Sequence, residues 1–416
     1  MTPSWFDASM LPEDWRLLPL RRLGRVLNGG TPTSDPVNWD GPFPFVTPPD
    51  LNGADGALVA TTGRTLTKVG TRGAGLAPGG SVLVSTRAPI GHVGRIGEIS
   101  AFNQGCRAVA PQAGVEPRYM ALALVAARAD LMARGQGTTF IELSSPAFAS
   151  IPIPVPPPDE QRAIVDYLDQ ETVQIDALVA KQEEFIGLLR ERRRMVVPSV
   201  LTKAAPVGHR PDKLHRRTRM GNGSTPRSGE DRYWLDGDIP WVNSSVVNRT
   251  QVLEPSKLVT RVAVKECHLP MVKPGSILVA LTGEGKTRGA ATILRIGSTI
   301  NQHLAFIEPD ERFWVPDYLL WLLRSQYDHL RRISSENGAT KGGLTVGDLR
   351  ALRVPMPELQ QQHQLVKELE EVTARIDALI DKAEEHIALA KERRSALITA
   401  AVTGQVDVRT ASRKAG

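Results

Sequence analysis

Gly285-Lys286-Thr287 has the residue types of a phosphate-gripping loop, in which backbone N–H groups cradle a phosphate and a lysine reaches it. That motif needs a glycine five residues ahead of Gly285, and Ala280 stands there. A methyl-transfer site fares no better. Thr47-Pro48-Pro49-Asp50 departs from the Asn/Asp-Pro-Pro-aromatic signature of adenine methyltransferases at its first and last positions, and no glycine-rich cofactor loop precedes it. No pair of carboxylates beside a lysine has nuclease-like spacing. Cys106 and Cys267 form no CxxC spacing, and the adjacent side chains of Cys267 and His268 point in different directions. These residues predict a chain with no catalytic centre, no cofactor and no metal.

Charge points instead to a binding role. The formal net charge is +6 and the pI is near 9.4, which favours a polyanionic partner. At 416 residues, with 41% hydrophobic content, two or more domains with real cores are expected. Asp7, Glu13 and Asp14 interrupt the apolar residues of the first segment, unlike a signal peptide. No apolar run approaches the ~20 residues of a membrane span. A cytoplasmic protein without a membrane partner is the expectation.

The elements that position any binding residues come in two copies. Arg22, Arg25, Gly30-Thr31-Pro32, Trp39, Gly41 and Phe43-Pro44-Phe45-Val46 run in the same order as Arg216, Arg219, Ser224-Thr225-Pro226, Trp234, Gly237 and Ile239-Pro240-Trp241-Val242. Gly80-Ser81-Val82-Leu83-Val84 then matches Gly275-Ser276-Ile277-Leu278-Val279. Asn103-Gln104 matches Asn301-Gln302, and Tyr119 matches Tyr318. Ile175-Asp176-Ala177-Leu178 matches Ile376-Asp377-Ala378-Leu379. The offset is 194 at Pro32/Pro226 and 201 at Ile175/Ile376, a small one-way drift that a few loop insertions in a duplicated unit produce.

Each copy opens with Gly- and Pro-punctuated short strands and a helical stretch near 119–131 or 316–330, which reads as a mixed α/β globule. Proline-spaced connectors at 153–156 and 354–357 then end it, because proline cannot continue a helix. A long helix follows. Val165, Leu168, Thr172, Ile175, Val179, Gln182, Ile186, Leu189, Arg193 and Val196 step by three and four. The second copy holds the same seam at Val366, Leu369, Thr373, Ile376, Ile380, Ala383, Ile387, Ala390, Arg394 and Leu397. Two amphipathic helices lying on separate globules are the simpler alternative. The shared register over more than four heptads favours an antiparallel intramolecular coiled coil. The expected organisation is α+β: globules at 1–156 and 205–357, helices at 157–204 and 358–404, and a flexible tail at 405–416, related by a pseudo-two-fold. At ~1.5 Å per residue the stretch from Val165 to Val196 spans ~48 Å, more than one ~34 Å turn of B-DNA.

In order along the chain, Gly29-Gly30-Thr31-Pro32, Trp39-x-Gly41 with its aromatic-Val strand, the 85–91 turn Ser-Thr-Arg-Ala-Pro-Ile-Gly and Asn103-Gln104-Gly105 resemble type I restriction–modification specificity subunits. So do the 233–242 segment and the two proline-then-glutamine-then-helix regions at 156–161 and 357–362. The resemblance spans essentially the whole chain. It implies a non-catalytic subunit whose two target-recognition domains each read half of a bipartite site in double-stranded DNA. It also implies helices that dock two adenine methyltransferase subunits, with endonuclease/translocase subunits joining the complex. Two features depart from the pattern. Thr282-Gly283-Glu284-Gly285-Lys286-Thr287-Arg288 replaces the 87–91 turn in copy two, and Trp15 has no counterpart there.

Basic and amide side chains in glycine-rich loops are then the natural DNA contacts, since arginine pairs bidentately with guanine, Asn and Gln with adenine, and lysine holds phosphate. Thr31, Arg64, Lys68, Arg72 and Arg87 are the candidates in copy one. Thr225, Arg227, Lys286, Arg288 and Lys341 are those in copy two. Each is also readable as a solvated surface group, the two Thr-Pro turns as strand-stabilising turns, and the Asn-Gln pairs as partners of buried backbone. The basic runs at 190–194 and 391–394 read as solvated helix faces or methyltransferase contacts. Two further readings remain: the specificity subunit of a related two-subunit methylase–nuclease, and an adaptor coiled coil whose duplicated globules bind protein.

Overall fold

The computed structural model describes residues 5–87, 89–137, 141–203, 211–283, 285–336 and 343–408. The chain forms two compact units, residues 1–183 with 384–416, and residues 184–383. Each unit therefore holds one globule, one half of the first long helix and one half of the second.

The first unit contains β1 (Arg16–Pro19), β2 (Gly24–Asn28), β3 (Trp39–Val46), β4 (Arg64–Leu66), β5 (Gly75–Ala77), β6 (Val82–Ser85), β7 (Val93–Arg95), β8 (Ser100–Phe102) and β9 (Cys106–Pro111). Helices α1 (Pro117–Ala126), α2 (Arg128–Ala133) and α3 (Ser145–Ala149), strand β10 (Pro152–Val155) and the long α4 (Pro158–Thr202) follow. The strands build sheets ordered β2-β9-β6-β7 and β4-β3-β8-β5, plus the pair β1-β10. Every residue of β6 is buried, and period-two alternation divides its side chains between two cores. Val82 and Val84 pack with Tyr119, Met120 and Leu122 of α1, whereas Leu83 packs with Val46, Leu51 and Phe102 on the opposite face.

The second unit repeats the plan with β11 (Asp212–Lys213), β12 (Thr218–Asn222), α5 (Asp231–Trp234), β13 (Ile239–Val242), β14 (Gln251–Val252), β15 (Lys257–Val259), α6 (Arg261–Glu266), β16 (Ile277–Ala280), β17 (Ala291–Leu294), β18 (Thr299–Ile300) and β19 (Leu304–Pro309). After these come α7 (Pro316–Ser325), α8 (Tyr327–Glu336), α9 (Val346–Ala351), β20 (Arg353–Val354) and α10 (Leu359–Val402). The orders are β12-β19-β16-β17-β14, β15-β13-β18 and β11-β20. Ile277 and Val279 of β16 face α7, and Leu278 and Ala280 face the second core. The register of the repeat thus extends to which face each strand residue buries.

The two long helices are antiparallel wherever they meet within a unit. In the first, Arg394 pairs with Asp176 and Lys391 with Glu183. In the second, Arg193 pairs with Asp377 and Lys203 with Glu368. Leu168, Ile175, Ile186, Leu189, Leu369 and Ile376 are buried seam residues, and Val179, Ile380 and Ile387 are half-buried. At the helix ends the most buried positions shift by one. Ile164 and Leu365 are buried where Val165 and Val366 are half-buried, and Ile398 is buried beside a half-buried Leu397. There the helices leave the seam and lie on their globules, so a wider apolar stripe is covered. Arg193 and Arg394 reach across to the facing helix, which the solvated-face reading of the two basic runs does not anticipate.

One glutamine in each copy ties helix to globule. Gln161 Nε2 donates to the carbonyls of Pro156 (3.0 Å) and Gly114 (3.2 Å), while its Oε1 accepts from Glu116 N–H at 2.8 Å. Gln362 repeats all three bonds, to the carbonyls of Pro357 (2.8 Å) and Phe313 (2.7 Å) and from Val315 N–H at 2.8 Å. Both glutamines are buried, so every amide hydrogen bond made here replaces one lost to water. The tail is packed where it begins: Val408 is 2% exposed, and Gly404, at φ +74°, turns the chain back over Pro12 and Trp15. The stretch from 405 to 408 is therefore not the flexible segment expected.

Candidate nucleic-acid interface

In the first domain the Gly29-Gly30-Thr31-Pro32 turn lies against the end of β8. Gly30 N–H donates to Phe102 O at 3.1 Å, and a Cβ on Gly29 would fall 1.8 Å from Asn103 O, so only glycine fits. This close approach sets Thr31, whose hydroxyl donates to Gln104 Oε1. Asn103 serves backbone instead, accepting from Gly105 N–H at 3.0 Å. The second domain repeats the arrangement: Ser224 N–H donates to Ile300 O at 3.0 Å, Gly223 cannot carry a Cβ, and the Thr225 hydroxyl donates to Gln302 Oε1. Both Thr-Pro turns thus present an exposed threonine–glutamine pair.

Around the pair the domains diverge. In the first, Arg107 Nη1 donates to Gln104 O, and Arg107 Nη2 lies 3.2 Å from Glu142 Oε1. The other oxygen of Glu142 holds Arg87 Nε at 3.0 Å, leaving the Arg87 side chain 48% exposed. Such a half-solvated pair adds little stability, but it fixes where the guanidinium points. In the second domain Thr282 occupies the position of Arg87, and its Oγ1 lies 2.8 Å from His303 Nδ1. His303 Nε2 lies 3.1 Å from Gln302 Nε2. The departure of the 282–288 loop from the first copy therefore replaces an arginine–carboxylate cluster with a hydroxyl–imidazole–amide chain.

A second feature shared by the domains is a cation over tryptophan. Arg64 lies over Trp39 with its guanidinium carbon 3.3 Å from the ring centroid, and Trp39 packs edge-on against Phe45. Lys257 Nζ lies 5.1 Å from the Trp234 centroid, and Trp234 packs edge-on against Trp241. Arg64 pairs with Phe45 across β3–β4, and Lys257 pairs with Trp241 across β13–β15, so the two cations are structural counterparts. Each cation is packed on one side against its ring and lies at the surface. Sequence reading missed Lys257 because the offset between copies has drifted there; only the strand register reveals it.

The remaining candidates distribute as follows. Lys68 and Arg72 are exposed in the loop between β4 and β5, and Gly73 of that loop touches Pro32, bringing Arg72 beside the Thr31 turn. Arg227 is exposed two residues after Thr225, and its carbonyl accepts from Trp234 Nε1 at 2.9 Å. Lys286 is exposed and its carbonyl accepts from the Tyr327 hydroxyl at 2.8 Å, whereas Arg288 is half-buried. Lys341 lies outside the described residues. Cys106 is buried, and that burial, helped by Asp50, pushes its thiol up to about 12 despite Arg107 beside it, so no thiolate forms near neutral pH. Among the described residues no group of three His, Cys, Asp or Glu is placed to hold a metal, and no helix is long and apolar enough to cross a membrane.

Two α/β globules display the same threonine–glutamine pair between different loops, and each holds part of both long helices, so the chain is a duplicated module. The family model described as "Type I restriction modification DNA specificity domain" matches residues 12–184 and again 219–388. The chain belongs to this family of DNA specificity subunits. It is similar to the type I restriction enzyme MjaIX specificity subunit of Methanocaldococcus jannaschii, at 26% identity over 423 residues, covering 97% of this chain and 96% of that one. The EcoR124I/EcoR124II specificity subunit of Escherichia coli is 23% identical over 228 residues, 52% of this chain and 54% of its own. Two solved chains share the fold. One, from a structure of type I R-M complex assembly and conformational transition, gives a TM-score of 0.74 at 18% identity, covering 95% of this chain and 99% of that one. The HsdS subunit from Thermoanaerobacter tengcongensis gives 0.53 at 19% identity, covering 98% and 100%.

Proposed function

We propose that each domain reads one half of a bipartite DNA site, with the Thr31–Gln104 and Thr225–Gln302 turns as the equivalent centres of the two reading surfaces. The observation that carries this is the repetition of that pair between non-equivalent loops: a shared frame docks each domain alike, while Arg87, Arg107 and Glu142 on one side, and Thr282 and His303 on the other, select different bases. Lys68, Arg72, Arg227, Lys286 and the tryptophan-backed Arg64 and Lys257 supply phosphate and base contacts around them; Arg288 shares the 282–288 loop with Lys286.

The helices set the spacing between half-sites and carry the partners. Exposed apolar side chains at Leu178 and Leu389 in the first unit recur at Leu379 and Leu188 in the second, so each unit offers the same pair. Two equivalent surfaces fit two copies of one partner, the adenine methyltransferase, which adds the chemistry that this subunit lacks. ATP-dependent endonuclease subunits complete the assembly, which works in the cytoplasm where its DNA is.

The test is a comparison of Arg64→Ala and Lys257→Ala in the complex with the adenine methyltransferase subunit. Each variant weakens binding to a duplex carrying the target by ~1–3 kcal/mol if its cation reads a base, with relaxed choice in one half-site only. Retention of both affinity and motif in both variants removes these cations from the reading surface. An adaptor protein predicts no sequence-dependent DNA retention for any variant.

A further inference from the structure

The second domain contains a pocket of about 410 Å³ lined by three arginines, Arg193 of α4, Arg249 and Arg324, with Trp321, Tyr327 and Gly289 among its other walls and no carboxylate among the described lining residues. Arg324 is half-buried and donates to Ala291 O at 3.1 Å and Thr250 O at 3.0 Å. Its burial, and then the nearness of Arg193, lower its pKa, with Asp317 opposing. Arg193 pairs with Asp377 on the facing helix, which lies outside the pocket wall.

The first domain shows what is missing. There the arginine equivalent to Arg193 is Arg394, and Asp55 sits between it (3.9 Å) and Arg128 (2.7 Å), an internal anion bridging two guanidiniums. Asp55 is held at φ +41° in the turn 52–56, which links the 3-10 turn ending at Leu51 to the bridge at Leu58. In the second domain the corresponding stretch runs from Val247 to Gln251, three residues shorter, so the counterpart of Asp55 is absent and Arg249 occupies the link.

We propose that this pocket takes a phosphodiester group of the DNA backbone, whose paired oxygens stand where Asp55 stands in the first domain. The proposal rests on the DNA-recognition reading above. Two observations favour DNA over a partner's carboxylate. Gly289 and Ala290 of the wall end the 282–288 loop, and Tyr327 of the wall holds that loop through its bond to Lys286 O, so the pocket lies at the foot of a DNA-reading loop. Guanidinium forks also match a phosphate bidentately, and with Arg193 already paired to Asp377 the other two still exceed what one carboxylate neutralises. Because Arg193 belongs to α4, the phosphate lies at the spacer edge of the half-site and carries no base information.

The experiment titrates a fluorescent duplex carrying the methylated motif, and a scrambled duplex, against the full complex between 50 and 200 mM KCl. The R193Q/R249Q double variant is expected to make the slope of log K against log[salt] shallower by about 0.9, the value for one phosphate, on both duplexes alike. The methylated motif stays unchanged. R249Q alone, at an exposed side chain, shifts the slope in the same direction and guards against misfolding of the double variant. An unchanged slope overturns the proposal, as does a loss confined to one duplex. An unchanged slope with weakened methyltransferase co-purification assigns the pocket to a partner's carboxylate. If the wild-type complex does not discriminate the duplexes, the recognition reading fails, while the slope comparison still decides the pocket.

Discussion

Arg394 Nε lies 3.0 Å from Asp176 Oδ1, and the pair recurs as Arg193 Nη2 3.2 Å from Asp377 Oδ2. Adding 201 to Arg193 gives Arg394, and adding 201 to Asp176 gives Asp377, so the two pairs are copies with the roles of the helices exchanged. Each helix supplies the arginine of one pair and the aspartate of the other, as antiparallel pairing of a repeated helix requires. In a double-mutant cycle, Arg394→Ala and Asp176→Ala should couple by only ~0.3–1 kcal/mol, because Asp176 is 57% exposed and the pair is partly screened. Urea unfolding of the four proteins measures it. A coupling near zero would remove the pair as a register device.

The glutamines at the helix starts carry more. Gln161→Leu or Gln362→Leu strands one backbone N–H and two carbonyls at a buried site, at a cost of roughly 2–3 kcal/mol each. The exposed Gln360→Leu should stay within about 0.5 kcal/mol of the parent. Chemical denaturation of the three variants separates the two classes; equal effects would contradict the latch.

The repeated tyrosines predict opposite outcomes for one substitution. The Tyr119 hydroxyl donates to Pro154 O at 2.9 Å and lies 3.3 Å from Val402 O, whereas the buried Tyr318 hydroxyl has no hydrogen-bond partner among the described residues. Tyr119→Phe should destabilise by about 1–2 kcal/mol, and Tyr318→Phe should be neutral or stabilising. Thermal melts of the two variants decide.

Lengthening both helices tests their role in spacing. A four-residue insertion after Val179, with its partner insertion after Ile380, adds ~6 Å to each helix and keeps the register of the Arg394–Asp176 and Arg193–Asp377 pairs on either side of the lengthened segment. The spacer of the methylated site should change, with both half-sites intact. An unaltered spacer in an active complex would contradict the ruler.

Much of this architecture is legible in the primary structure because repetition and periodicity are local signals. Gly80-Ser81-Val82-Leu83-Val84 and its copy announce the same central strand, and the seam from Leu168 to Leu189 follows from three–four spacing. The seam is misread by one position at its ends because Ile164-Val165 offers two apolar residues in a row, and only the globule decides which is covered. Contacts distant in sequence are invisible in the same way: nothing local joins Arg87 to Glu142, 55 residues on, or Asp55 to Arg394. Lys257 was hidden by loop drift, and the three-arginine pocket depends on a three-residue deletion that matters only once the loop is folded.

The most direct test of the central claim is to co-express this chain with the adenine methyltransferase subunit proposed as its partner and map methylated adenine across the host genome by single-molecule sequencing. The account predicts one bipartite motif with a spacer of fixed length, methylated on both strands, and co-purification of the two proteins. A genome without such a motif, from cells in which the proteins do not co-purify, would contradict it and favour an adaptor whose globules bind protein.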